Sequence, residues 1–305
     1  MGTWGAGLYQ CDDASDLRDD FREVVRAPWD GDRLLAWTLE AYPQAGKKRA
    51  EGYADLRLAL ADLFWSYGIE HEQVMQTALG LIDRGDDLEA KRRLGMSDRD
   101  LQRRATVLAE LAAKWRSANP KPRDRRVLKA PQPFEIVPGD CLAYPTAEGR
   151  VRNPYVSPAR EEQFYRAYPW DQDGWAAAVV LACVHRFDTF ARYLVAILRY
   201  DGAAEPTLEL FPTLSILHSR TFAREPLRRV HLVSTTPMHL RRMGVGVVGN
   251  LPVEKRKVGK EFGRELARPG REFANDAWTL PDTYRHNPER LGPADVRDPI
   301  ARFLA

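Results

Sequence analysis

Apolar residues recur at helical spacing through the first 118 positions and at strand spacing beyond about position 134. Leu17, Phe21, Val24 and Val25 share one helical face, and the acidic residues at Asp12 and Asp13 suit a helix start. Leu34, Leu35 and Leu39 predict a second helix, stopped near Pro43. Leu56, Ala59, Leu60, Leu63, Phe64 and Tyr67 form a third stripe that ends at Gly68. Val74, Met75, Ala78, Leu81 and Ile82 make a fourth, ended by Gly85. Ser97 with Asp100 is a capping box with Asp in the usual Glu place. It opens the most clearly patterned helix, with Leu101, Ala105, Leu108, Ala112 and Trp115 on one face. Five short helices at this spacing predict a helical domain over residues 1–118. The glycine-rich start places Trp4 against that domain, near Phe21, Leu63 or Trp115.

Residues 119–133 break the pattern. Pro120, Pro122, Pro131 and Pro133 oppose regular structure, and Lys121, Arg123, Arg125, Arg126 and Lys129 make the stretch basic, which predicts a linker. After it, residues 134–144 read as a strand with a turn at Pro138-Gly139. Residues 175–184 read as a buried strand, and 192–200, 207–217, 230–234 and 245–248 as further strands. Residues 146–174 form a long loop rich in Tyr, Pro and Arg, of a length usually tied to function or motion. The predicted fold class is α+β, a helical N-terminal domain followed by a small, strongly bent antiparallel β-sheet or barrel. The β-rich domain spans 134–253, and residues 254–305 form a C-terminal extension expected to pack on the surface.

Composition narrows the class. Of 305 residues, 44% are hydrophobic and 29% charged, a globular balance. A net charge of +3 does not by itself point to nucleic acid. Cys11, Cys141 and Cys183 are few and far apart, which predicts reduced thiols and a cytoplasmic location. The longest apolar run, 175–184, is about half of the ~20 residues a membrane span needs, and no signal peptide is visible. No membrane association is expected.

Candidate chemistry is sparse. His71-Glu72 begins like a zinc-protease motif, but Met75 stands where the second histidine belongs. Gly244, Gly246 and Gly249 match G-x-G-x-x-G, but they lie too near the C-terminus to head a dinucleotide-binding unit, so a strand or bulge is the reading. His185, His218, His231 and His239 follow no metal-ligand spacing. Cys141 and Cys183 sit among apolar strand residues, where thiols pack rather than react. No catalytic residue, metal ligand or cofactor is assigned. The candidate partner-binding residues are Asp12, Asp13, Asp16 and Asp19 on the acidic first helix, and Tyr155, Tyr165 and Trp170 in the long loop.

Two resemblances bear on function. Met1-Gly2-Thr3-Trp4-Gly5, Gly7, Asp12-Asp13-Ala14, Asp16, Arg18-Asp19 and Phe21 resemble an uncharacterised bacterial family whose members begin Met-Gly-x-Trp-Gly. The likeness continues through Leu58-Ala59-Leu60-Ala61, Leu81-Ile82-Asp83 and Leu111-Ala112-Ala113-Lys114-Trp115. Pro138-Gly139-Asp140-Cys141-Leu142-Ala143-Tyr144 resembles the first strand of bacterial toxin-immunity proteins, a group also labelled phosphotriesterase-like. That resemblance implies an intracellular binding or immunity role and supplies no catalytic residue. The expected function is non-enzymatic binding of another protein by surface complementarity, with charge steering the encounter. Behind it stand a hydrolase using Asp140 and the histidines on a small molecule, and a nucleic-acid module using the basic linker.

Overall fold

The computed structural model describes residues 5–218, 229–266, 271–287 and 298–305. Trp4 therefore lies outside the described residues. The chain divides into two compact units, Met1–Ala130 and Pro131–Ala305.

The first unit is helical: α1 (Asp12–Val24), α2 (Gly31–Ala41), α3 (Tyr53–Ser66), α4 (Glu72–Asp83), α5 (Asp86–Arg93) and α6 (Asp98–Trp115). Helix α3 is its axis. Leu56, Leu58, Ala59, Leu60, Ala61, Leu63 and Phe64 are all buried, so the helix is apolar nearly all round, as a surrounded helix must be. Phe21 of α1 packs on Phe64 at 5.9 Å and on Tyr67 at 6.1 Å between ring centroids. The predicted cap at Ser97 forms, with Ser97 Oγ accepting from Asp100 N at 3.2 Å, while the Asp100 carboxylate accepts from the Ser97 hydroxyl at 2.7 Å. His71, the start of the broken zinc motif, is instead the N-cap of α4, and its Nδ1 accepts from Val74 N.

Helix α5 had no signal in the apolar pattern. Its buried residues are Asp87 and Lys91, so its inward face is ionic. The basic segment expected to be a linker belongs instead to the first unit. Arg123 N donates to Ser66 O at 2.8 Å, and Leu128 N to Arg26 O at 2.9 Å. The Arg125 guanidinium donates to the carbonyls of Val25, Ala27 and Trp29. Prolines exclude helix and sheet here, yet an extended strap can still use another element's free carbonyls. The boundary falls at Ala130/Pro131.

The second unit holds one open sheet in the order β5-β1-β2-β3-β4-β6, so the barrel alternative does not form. Its strands are β1 (Asp140–Thr146), β2 (Gly174–Arg186), β3 (Phe190–Ile197), β4 (His231–Ser234), β5 (Gly246–Asn250) and the two-residue β6 (Arg271–Glu272). All pairings are antiparallel except β4 with β6. Strands β1, β2 and β3 are mostly apolar because both sheet faces are covered. Tyr144, Ala178, Val180, Tyr193 and Val195 face a layer that includes α8 (Pro237–Met243) and α10 (Phe273–His286). Cys141, Ala177, Val179, Leu194 and Ala196 face a layer that includes α9 (Lys255–Leu266).

Several boundaries differ from the sequence reading. The first strand starts at Asp140, because the preceding stretch holds the Pro138-Gly139 turn. Residues 207–217 hold a 3-10 helix, Leu208–Thr213, rather than a strand. The long loop contains α7 (Pro158–Ala167), which buries no residue and so leaves no apolar stripe. The C-terminal extension is not a surface wrap. Val258, Phe262, Phe273, Ala277, Leu280, Ile300 and Phe303 are core residues, and β6 joins the sheet. The G-x-G-x-x-G stretch is the αL cap of α8 at Gly244 followed by edge strand β5, whose register against β1 shifts between Cys141 and Leu142.

Candidate functional site

The most developed polar site lies in the helical unit, and its floor is a buried ion network. Arg104 of α6 is 1% exposed and grips Asp87 of α5 with two hydrogen bonds, Nε to Oδ2 and Nη2 to Oδ1, both 3.0 Å. Arg104 Nη2 also reaches Asp55 Oδ1 of α3 at 3.3 Å, and Lys91 Nζ reaches Asp55 Oδ2 at 2.6 Å. The two acids and two bases balance, as buried charges must. Arg104 Nη1 donates to the carbonyls of Ala6 and Gly7, and Tyr9 Oη donates to Asp62 Oδ2 at 2.9 Å. The segment after Trp4 is thereby fastened across α3 and α6.

Above this floor opens a cleft of about 920 Å³, within the usual size range of ligand sites. Its lining includes the carboxylates of Asp12, Asp13, Glu51, Asp55 and Asp100, against the cations Lys91 and Arg103. Gly52, at φ +82°, lets the chain turn beneath Asp13, and a side chain there would strike the Asp13 carboxylate. Burial, then the fields of Asp55, Asp16, Asp12 and Glu51, push the Asp13 carboxyl above the ordinary range. Asp16 is raised as well, by burial and then by Asp20, Asp12 and Asp19. Crowded carboxylates with raised proton affinity also attract other cations.

The predicted partner-binding residues separate. Asp12 and Asp13 line the cleft. Asp16 is exposed further along α1, and Asp19 forms ion pairs with Arg18 and Arg22. Tyr155, Tyr165 and Trp170 belong to the other unit. Tyr155 is 51% exposed and lines a small pocket with Val156, Ser157, Arg160 and Phe164. Tyr165 Oη accepts from Asn153 N at 3.0 Å, and Trp170 Nε1 donates to Arg150 O at 3.1 Å, so the polar ends of both hold their own loop.

The histidines are dispersed. His185 Nε2 lies 2.8 Å from Gln132 O, and its ring stacks on Phe134. His218 meets Asp298 at 3.2 Å, His231 meets Asp276 at 3.3 Å, and His239 lies against Tyr155. His231 and Val233 alternate with Leu232, which places His231 on the α10 side of the sheet. Asp276 also acts on Tyr144, whose hydroxyl is buried without a hydrogen-bond partner among the described residues. Tyr144 is 0% exposed, and His231 and Asp276 are buried as well. Asp140, the expected acid of a hydrolase, accepts from Val137 N and Asn250 Nδ2, which makes it a turn clamp. Burial pushes the thiols of Cys11 and Cys141 up to about 11 and that of Cys183 to about 12, which disfavours the nucleophilic thiolate.

Sequence reasoning missed Glu51, Asp55, Lys91, Asp100 and Arg103. One signal was present: Asp55 interrupts the apolar stripe of α3, and Arg104 sits between Leu101 and Leu108 on the buried face of α6. A charge at a core position requires a partner. No family model matches the chain, and neither a curated protein nor a solved structure matches it. The two resemblances drawn from the sequence assign no role to any residue of this site.

Proposed function

We propose that the chain is a binding protein whose helical unit receives a cationic segment of another protein in the acidic cleft. The observation that supports this reading is the excess of carboxylates around a concave site whose floor is already charge-balanced. Asp55 is satisfied by Lys91 and Arg104. The carboxylates of Asp13 and Glu51 on the rim make no ion pair among the described residues. An Arg or Lys side chain entering the cleft relieves that mutual repulsion. The floor is held from α3, α5 and α6, so the site is preorganised and little ordering is needed on binding.

The reading keeps the non-enzymatic binding role expected from the sequence and places it on Asp12 and Asp13. A role in toxin immunity is one form it can take, with the basic segment belonging to the toxin. The test is calorimetric titration of the full chain with an arginine-rich peptide and with its citrulline counterpart. Binding of the first, absence of binding of the second, and loss of both heat and affinity in Asp13→Asn/Glu51→Gln support the proposal. Equal binding by that variant refutes it.

A further inference from the structure

Helix α9 is built against its own stability. Lys255, Arg256 and Lys257 occupy its first turn, where the helix dipole disfavours cations, and the one acid at this end is Glu254, just before them. Gly259 and Gly263 are both exposed, and a Cβ on either would meet nothing within 4 Å. Packing therefore does not demand these glycines, although glycine is a poor helix former. Local choices that oppose the fold mark functional surfaces.

The geometry says what that surface presents. Val258 and Phe262 point into the core beneath the sheet. Before a kink at Phe262, Arg256 and Lys260 lie on the face opposite Val258, about 6 Å apart along the axis, and Arg264 follows beyond the kink. Lys257 flanks that pair. All five cations of the helix, Lys255, Arg256, Lys257, Lys260 and Arg264, are exposed. None of them forms an ion pair among the described residues. The nearby acid Glu261 is already neutralised by Arg229 and Arg302. From position 241 to 264 the chain carries seven Lys and Arg against two Glu, although its overall net charge is only +3.

We propose that the outer face of α9 docks on the phosphate backbone of double-stranded nucleic acid. Three features favour that partner over an acidic protein. The outer face carries no apolar or aromatic anchor, which a protein interface needs at its centre. It is rich in Lys, which such interfaces lack. Exposed cations one helical turn apart suit close approach to a regular array of phosphates. The absence of stacking aromatics on that face selects duplex over single strands. This surface differs from the basic segment at 119–133, whose Arg125 is committed to main-chain carbonyls.

The experiment is fluorescence anisotropy of the full chain with labelled 20-base-pair DNA and RNA duplexes across a salt series. Four to five phosphate contacts predict a slope of log K against log salt near −4, about a 10²-fold loss between 50 and 200 mM salt. Arg256→Gln/Lys260→Gln/Arg264→Gln, checked for an unchanged melting curve, should flatten that slope by about 3. An unchanged slope in the triple variant overturns the proposal. Competition by polyglutamate as effective as by unlabelled duplex also overturns it, in favour of an acidic protein.

Discussion

Arg104→Met tests whether the helical unit depends on its buried charges. The substitution keeps most of the side-chain volume and removes the guanidinium. Asp87 is 0% exposed and receives both of its 3.0 Å hydrogen bonds from Arg104. Lys91 stays on Asp55, so the loss concentrates on Asp87. Breaking a buried pair by deleting one partner costs about 3–5 kcal/mol, because the remaining charge has no compensation. The carbonyls of Ala6 and Gly7 lose a donor as well, but they border the cleft and can hydrate. About 4 kcal/mol is the expected total. For a unit of this size, roughly 4 °C per kcal/mol gives a melting shift of about 15 °C in the helical unit's transition. The assay is calorimetric melting of the full chain beside Asp87→Asn and the double variant. The double variant should recover at least about 1 kcal/mol relative to additivity, since removing both charges leaves no unpaired buried charge. A loss below about 1 kcal/mol in Arg104→Met, or strict additivity, would refute the reasoning and show that water reaches Asp87.

Further outcomes follow from the same structure. Asp13 has its folded pKa raised by burial and by neighbouring carboxylates, so its proton favours the folded state at low pH, and that advantage is lost as pH rises through the raised value. Asp13→Asn should therefore melt higher than the wild type near neutral pH, with the gap closing near pH 3; a gap that widens on acidification contradicts the sign. Residues 123–129 should resist limited proteolysis, and Arg125→Ala, which frees the carbonyls of Val25, Ala27 and Trp29, should open them to cleavage; rapid cutting of the wild type there contradicts the strap. The β2–β3 turn places Phe187 and Asp188 at φ +56° and +55°, with Thr189 N donating to Arg186 O. Replacing this pair with Asn-Gly, which tolerates such angles, should stabilise by about 1 kcal/mol in denaturant unfolding, and a destabilised variant contradicts the strain.

Much of the fold was legible wherever burial is apolar. Helices α1, α3, α4 and α6 and strands β2 and β3 announced themselves because their buried faces are hydrocarbon. Helix α5 was silent because its buried residues are Asp87 and Lys91, which read as solvent-facing in any hydrophobic pattern. Helix α9 was hidden for a related reason, since Val258, Phe262 and Leu266 are the only apolar side chains among its charges and glycines. The strap at 119–128 was misread because proline excludes regular structure without excluding attachment. Asp12 and Asp13 were found as part of an acidic helix, whereas the cleft around them was not. It joins residues from 5 to 103, and charge alone does not reveal which distant carboxylates converge.

The central claim, a cation-binding cleft in the helical unit, is tested most directly by amide chemical shifts of the full chain titrated with the arginine-rich peptide. The account predicts perturbations confined to residues 10–13, 51–55 and 91–103 that saturate together, and that weaken as pH falls and Asp13 takes up its proton. Shifts scattered over other acidic surfaces such as Asp19 and Asp83, or a cleft that stays silent at saturating peptide, would contradict it.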